Sequence, residues 1–141
     1  MKKELFDIVN YKRHPLDDLK FREQCKALLN CDGSLVLENF LLPSAISLVL
    51  EEALAKEKLA YFCINEHNVY LTTQNSDFPA EHPQNITVNS SKGCITDDQV
   101  SINSPLRILY RSNEFQSFLC SVLGEQALYE YEDPLSSINI H

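Results

Sequence analysis

Glycine is scarce in this chain: Gly33, Gly93 and Gly124 are the only three in 141 residues, and each stands alone. A phosphate-cradling loop needs clustered glycines so that the backbone can approach the anion, and nucleotide binding of that kind is therefore excluded. The G-x-S-x-G elbow of serine hydrolases is missing too. Histidine is limited to His14, His67, His82 and His141. None falls in an H-x-x-x-H, H-x-D or H-x-E pattern, so neither a zinc nor a non-haem iron site can be assembled from local spacing. Turn-rich sequence surrounds His67 and His82, and both are expected to be exposed loop residues.

The five cysteines, Cys25, Cys31, Cys63, Cys94 and Cys120, are odd in number and include no C-x-x-C pair. That argues against a disulfide framework or a zinc knuckle. Cys63 and Cys120 sit in apolar runs and are expected to be small core residues. Basic residues are outnumbered by acidic ones, 12 to 20, leaving a net charge of −8 that repels phosphate backbones. Nucleic acid is not an expected partner. No stretch reaches the ~20 apolar residues that span a bilayer, and the first residues lack the apolar centre of a signal peptide. The expectation is a cytoplasmic protein without a membrane partner.

What is present suits a folded domain. Apolar residues make up 44% of the chain, and its length is that of one domain, so residues 1–141 are read as a single unit. Residues 16–30 read as a helix, with Pro15 at its start, Asp17 and Asp18 in the first turn, Gly33 beyond its end, and an apolar face of Leu16, Leu19, Leu28 and Leu29. A short strand is expected over 34–40. A second helix opens at Pro43-Ser44, where Ile46, Val49, Leu50, Ala53 and Leu54 follow helical spacing and are expected to face a core.

Residues 60–64 and 68–73 read as the two arms of a hairpin. Residues 74–104, crowded with Asn, Ser, Asp and Pro, read as a long surface excursion with brief β-prone pieces at 86–88 and 94–96. Pro105 begins one or two helical turns. The clearest helix covers 113–123, with Phe115, Phe118, Leu119, Val122 and Leu123 on one face, Ser112 or Asn113 as cap and Gly124 as stop. Residues 127–133 and 135–141 alternate like half-buried strands. In the first of these, Tyr129, Tyr131 and Asp133 would share one face, and Glu130 and Glu132 the other. The order suits an α+β domain, with helices packed on a mainly antiparallel sheet.

The C-terminal third carries a resemblance. Ser104-Pro105-Leu106-Arg107-Ile108-Leu109-Tyr110, the 115–123 helix, Leu128-Tyr129-Glu130-Tyr131-Glu132-Asp133-Pro134-Leu135 and Ile138-Asn139-Ile140 resemble the lead-in to the iron site of the iron(II)/2-oxoglutarate-dependent oxygenases, in the branch that holds free-amino-acid halogenases and hydroxylases. Asn39-Phe40-Leu41, His67-Asn68-x-Tyr70 and Asp77-Phe78-Pro79-Ala80-Glu81-His82-Pro83 look similar to that branch as well, so the resemblance covers roughly 34–141. It implies a double-stranded β-helix, or jelly-roll, core that would be incomplete here. It also implies that a full-length relative binds iron(II) and 2-oxoglutarate. The H-x-D/E or H-x-G that holds the iron follows the Asp-Pro-Leu strand in that family, and this chain ends at His141 before reaching it.

His141 stands too soon after Asp133-Pro134 and has no x-D/E behind it, so no metal or catalytic residue is assigned. By the same resemblance Glu130, Tyr131, Glu132 and Asn139 would border a substrate pocket, with Glu130 or Glu132 facing the ammonium of a small amino acid. The expected function is that of the N-terminal portion of such an oxygenase, inactive alone. The alternative is a non-catalytic binding or interaction module that pairs with itself, or with a missing C-terminal half, through an open sheet edge.

Overall fold

The computed structural model describes residues 4–141. Among the described residues four α-helices, three single-turn 3-10 helices and one antiparallel pair of strands make up the regular structure, in an α+β arrangement. Helix α1 spans Leu19–Asp32, α2 Pro43–Lys56, α3 Pro105–Tyr110 and α4 Asn113–Leu123, while strands β1 (Tyr61–His67) and β2 (Val88–Cys94) form the ribbon.

The helices begin and end for local reasons. Asp18 caps α1 by accepting from Phe21 N at 2.8 Å, so the expected start at Pro15 moves inward by a turn. Pro43 occupies the first turn of α2, where its missing N–H costs nothing. Ser112 caps α4 through Phe115 N, and Gly124 closes it at φ 78°, a left-handed conformation that a side chain would strain.

The core forms between α1, α4 and the segment before α1. Leu5, Ile8, Val9, Leu16, Cys25, Ala45, Phe118 and Val122 are buried together, with Phe21, Phe40 and Phe115 packed against them. Phe21 stacks on Phe118 at 5.9 Å, and Phe40 tilts against Phe115 at 5.6 Å. Arg22 bridges the two helices, donating to the Leu16 carbonyl at 2.6 Å and to Ser117 Oγ at 3.1 Å.

Several expectations are corrected. Residues 34–40 form no strand; they cross the core as a link, and Val9 pairs with Leu41 in a single bridge. Leu19 and Leu28 lie on the outside of α1, leaving Cys25 and Leu29 to face inward. Helix α2 turns Ala45 into the core but leaves Ile46, Leu50 and Leu54 exposed, because its inner face carries Glu52 and Lys56 instead. Cys63 and Cys120 are only half-buried, and Cys25 is the core cysteine.

The hairpin is also corrected. The partner of β1 is β2, in the register Tyr61↔Cys94 through His67↔Val88, and residues 68–73 make a turn. His67 is consequently the last, half-buried residue of a strand. Asn68 closes that turn from a buried position: its Oδ1 accepts from Tyr70 N and Thr72 N, and its Nδ2 donates to the carbonyls of Thr72 and Gln84 at 2.8 and 2.6 Å. Asn85 holds the tip in the same way, accepting from Asn75 N and donating to the carbonyls of Asn75, Phe78 and Pro79. Residues 127–133 and 135–141 are not strands either, apart from one bridge between Ile95 and Ile140.

Two polar links attach the ribbon to the helices. Arg107 is buried on α3 and meets both Asp97 carboxylate oxygens at 2.9 and 3.0 Å, then donates to the carbonyls of Asp97 and Val100 at 2.6 and 2.9 Å. On α2, Glu52 pairs with Lys56 at 2.7 Å and accepts from Ser101 N at 2.7 Å, while Lys56 also donates to the Gln99 carbonyl.

Burial alone would raise the Glu52 carboxyl. The Lys56 ammonium and the Ser101 N–H outweigh it and hold the group below its ordinary value of 4.5. A carboxyl lowered in the folded state adds stability that is complete above 4.5 and is lost as the pH falls through the lowered value. Acid titration of unfolding free energy should therefore fall less steeply in that window for Glu52→Gln than for the parent. Arg107→Ala would leave the Asp97 carboxylate poorly paired in a dry site and should cost about 3–5 kcal/mol in denaturant unfolding.

Candidate functional site

The four residues expected at a substrate pocket lie on the segment after α4, which runs as an irregular extended chain across α3. Its anchor is Tyr110, at the end of α3, whose hydroxyl accepts from Tyr131 N at 2.8 Å. Below it, Ser137 Oγ donates to the carbonyls of Tyr131 and Asp133 at 2.8 and 3.1 Å and folds the chain back on itself. Asp133 organises the turn through Pro134, accepting from Leu135 N at 2.9 Å and from Ser136 Oγ at 2.9 Å. These two donors hold its carboxyl below the ordinary carboxylate value. The Asp-Pro-Leu stretch is thus an aspartate-capped turn in which the proline lacks an N–H and the aspartate supplies the acceptors.

Within that frame the expected residues do not converge. Glu130 leans back to Arg111, the residue just past α3, at 3.7 Å, with both side chains about half-exposed. Its first partner is therefore a cation of this chain, in an exposed pair of small energetic weight. Tyr131 and Glu132 are exposed, Tyr131 at 64%. The amide of Asn139, oriented so that its nitrogen donates to the carbonyls of Leu135 and Ile138 at 2.9 and 3.0 Å, stays within its own turn. The two-faced strand of Tyr129, Tyr131 and Asp133 opposite Glu130 and Glu132 is not formed, because no neighbouring chain pairs with this segment.

A buried polar feature that spacing did not reveal is His14. It sits between Phe21 and Phe40, at 5.9 and 5.7 Å, and its Nε2–H donates to the Glu38 carbonyl at 2.9 Å. It ties the segment before α1 to the link after it, which is a structural role. Burial raises the Cys25 thiol, opposing the thiolate that a nucleophile needs. Phe78 and His82 stack at 4.1 Å beside an open hollow lined by Gln74, Asn75 and Asn85. The sequence signal for this pairing was the Asp77-to-Pro83 stretch, and what it builds is a rigid loop tip.

Among the described residues, no three His, Cys, Asp or Glu side chains gather closely enough to hold a metal ion. No helix among them is long and apolar enough to cross a membrane. Comparison with protein-family models, with curated proteins and with solved structures finds no match to this chain.

The Tyr110 hydroxyl is the one side-chain link between α3 and the Tyr131 backbone. Tyr110→Phe removes it while keeping the ring. We expect faster amide exchange at Tyr131 and quicker proteolysis within 127–137, with a loss of global stability of about 1 kcal/mol.

Proposed function

We propose that this chain is the N-terminal portion of a non-haem iron(II)/2-oxoglutarate-dependent oxygenase, a hydroxylase or halogenase of a small free amino acid, and that it is inactive by itself. The reading rests on the motif resemblance over 34–141, and one observation carries it further. The resemblance implies a β-rich core, and the strands that are present are under-paired. Among the described residues β1 and β2 have no further strand beside them, and Tyr61, Phe62 and Ile64 are exposed at 69%, 64% and 77%. A sheet with such apolar faces is marginal unless more of it is covered. An incomplete jelly roll accounts for that arrangement.

The residues present do not fit iron(II), since His141 is exposed and no carboxylate and second histidine converge on it. What these residues would contribute to a completed site is a border: the turn at 133–137 and the Arg111–Glu130 pair, which a substrate ammonium would have to open before Glu130 could face it.

The same open ribbon favours a second reading, a non-catalytic module that binds a partner by strand pairing. The pure 141-residue chain, supplied with iron(II), 2-oxoglutarate and oxygen, should release no succinate above the protein-free rate. Sustained 2-oxoglutarate decarboxylation would overturn the inactive reading.

A further inference from the structure

Arg107 and Ile108 on α3, with Arg111 and Ser112 just past its end, follow the spacing i, i+1, i+4, i+5 and share one face. That face borders a hollow of about 510 Å³, which Leu5 and Ile102 also line. Two guanidinium groups one turn apart repel each other unless anions meet them, and the chain meets them unequally. Only 10% of the Arg107 side chain is exposed. Its Nη1 donates to both Asp97 carboxylate oxygens, and its Nη2 to the carbonyls of Asp97 and Val100. The remaining Nε–H has no acceptor among the described residues, yet it is not sealed from its surroundings. Neither Asp97 nor Val100 borders the hollow, so the edge of Arg107 that does is the one carrying Nε.

Arg111 is freer still. Its contact with Glu130, at 3.7 Å, is too long for a hydrogen bond, and Glu130 does not border the hollow. Ser112 Oγ accepts from Phe115 N at 3.2 Å, which leaves its O–H to donate. Three donors, two of them cationic, are thus grouped on the wall, beside the apolar side chains of Leu5, Ile102 and Ile108. Charged donors of this kind match a carboxylate, and the apolar wall matches a hydrocarbon body. Glu4 and Asn103 complete the lining, and the Glu4 carboxylate opposes a second negative charge. The volume is that of a small-molecule site.

We propose that this hollow binds a small monocarboxylate with an apolar body, held by the Arg111 guanidinium and the Arg107 Nε–H, with the Ser112 hydroxyl as a third donor. The net charge of −8 gives no long-range attraction for anions, so recognition is by contact and the affinity is modest. Nucleotides and other polyanions are disfavoured by the same field and by Glu4. Such a site goes beyond the oxygenase reading and stands whether or not that reading holds. It shares only Arg111 with the substrate border described above, and a bound carboxylate would compete with Glu130 for it.

Titration of the isotope-labelled full chain with sodium phenylacetate, followed by NMR, tests it. Phenylacetamide serves as the uncharged counterpart, and acetate as the anion without the ring. We expect saturable shifts of the Ile102, Ile108 and Ser112 amides and of the Arg107 and Arg111 Nε–H signals, with a Kd of about 1 mM or tighter. Phenylacetamide and acetate should each bind at least about tenfold more weakly. Arg111→Gln alters a half-exposed side chain that makes no hydrogen bond, so the fold should stand while affinity drops about tenfold or more. Glu130→Gln removes the competitor and should tighten binding about twofold. Equal binding of the amide would overturn the carboxylate assignment, and equal binding of acetate would overturn the apolar body. Unsaturable shifts, shifts mapping elsewhere, or unchanged affinity in Arg111→Gln would overturn the site itself.

Discussion

The buried Arg107 guanidinium is the strongest of the links that tie the β ribbon to the helical core. It ties down the turn over 97–100, through which β2 reaches α3, while β1 starts directly after α2. A buried arginine is tolerable only when its donors are satisfied, and a bidentate carboxylate with two backbone carbonyls does this. The same arrangement sets the direction in which β2 leaves the core. Its partner Asp97 lies two residues past Ile95, which pairs with Ile140.

A second constraint comes from the polar inner face of α2. With Glu52 and Lys56 directed at residues 99–101, the helix cannot also turn Ile46, Leu50 and Leu54 inward. Of the apolar stripe that the spacing marks as a core face, Ile46, Leu50 and Leu54 are left outside, and Val49 and Ala53 are half-buried. Two polar links thus select the helix orientation against its hydrophobic pattern, at the expense of exposed leucine and isoleucine surface.

The elements legible in the sequence are those whose causes are local. The cap at Ser112, the stops at Gly33 and Gly124, and the Phe115-to-Val122 spacing mark α1 and α4 without reference to distant residues, although α1 starts at the Asp18 cap and not at Pro15. Strands fared worse because pairing is non-local. The apolar run at 68–73 looked like the second arm of a hairpin, yet Asn68 binds its own downstream backbone and closes a turn there, while the polar 88–94 run pairs instead. Likewise 127–133 alternates as a strand should, but nothing pairs with it, and alternation without a partner is only a capacity. Of the candidate site, the Asp133-Pro134-Leu135 turn was visible as a motif. That Glu130 reaches for Arg111 and Asn139 for its own turn was not, since both depend on how the segment lies over α3.

The paired amides of Asn68 and Asn85 say something about how this protein can vary. Between them they close the long connection from β1 to β2, each acting as donor and acceptor at once. Aspartate would lose the donors, and glutamine would carry the same amide one methylene too far. Across 69–84, by contrast, most side chains point to solvent. Substitution there is cheap on the outside and expensive at the two asparagines, so this part of the chain can diverge widely while keeping its backbone path.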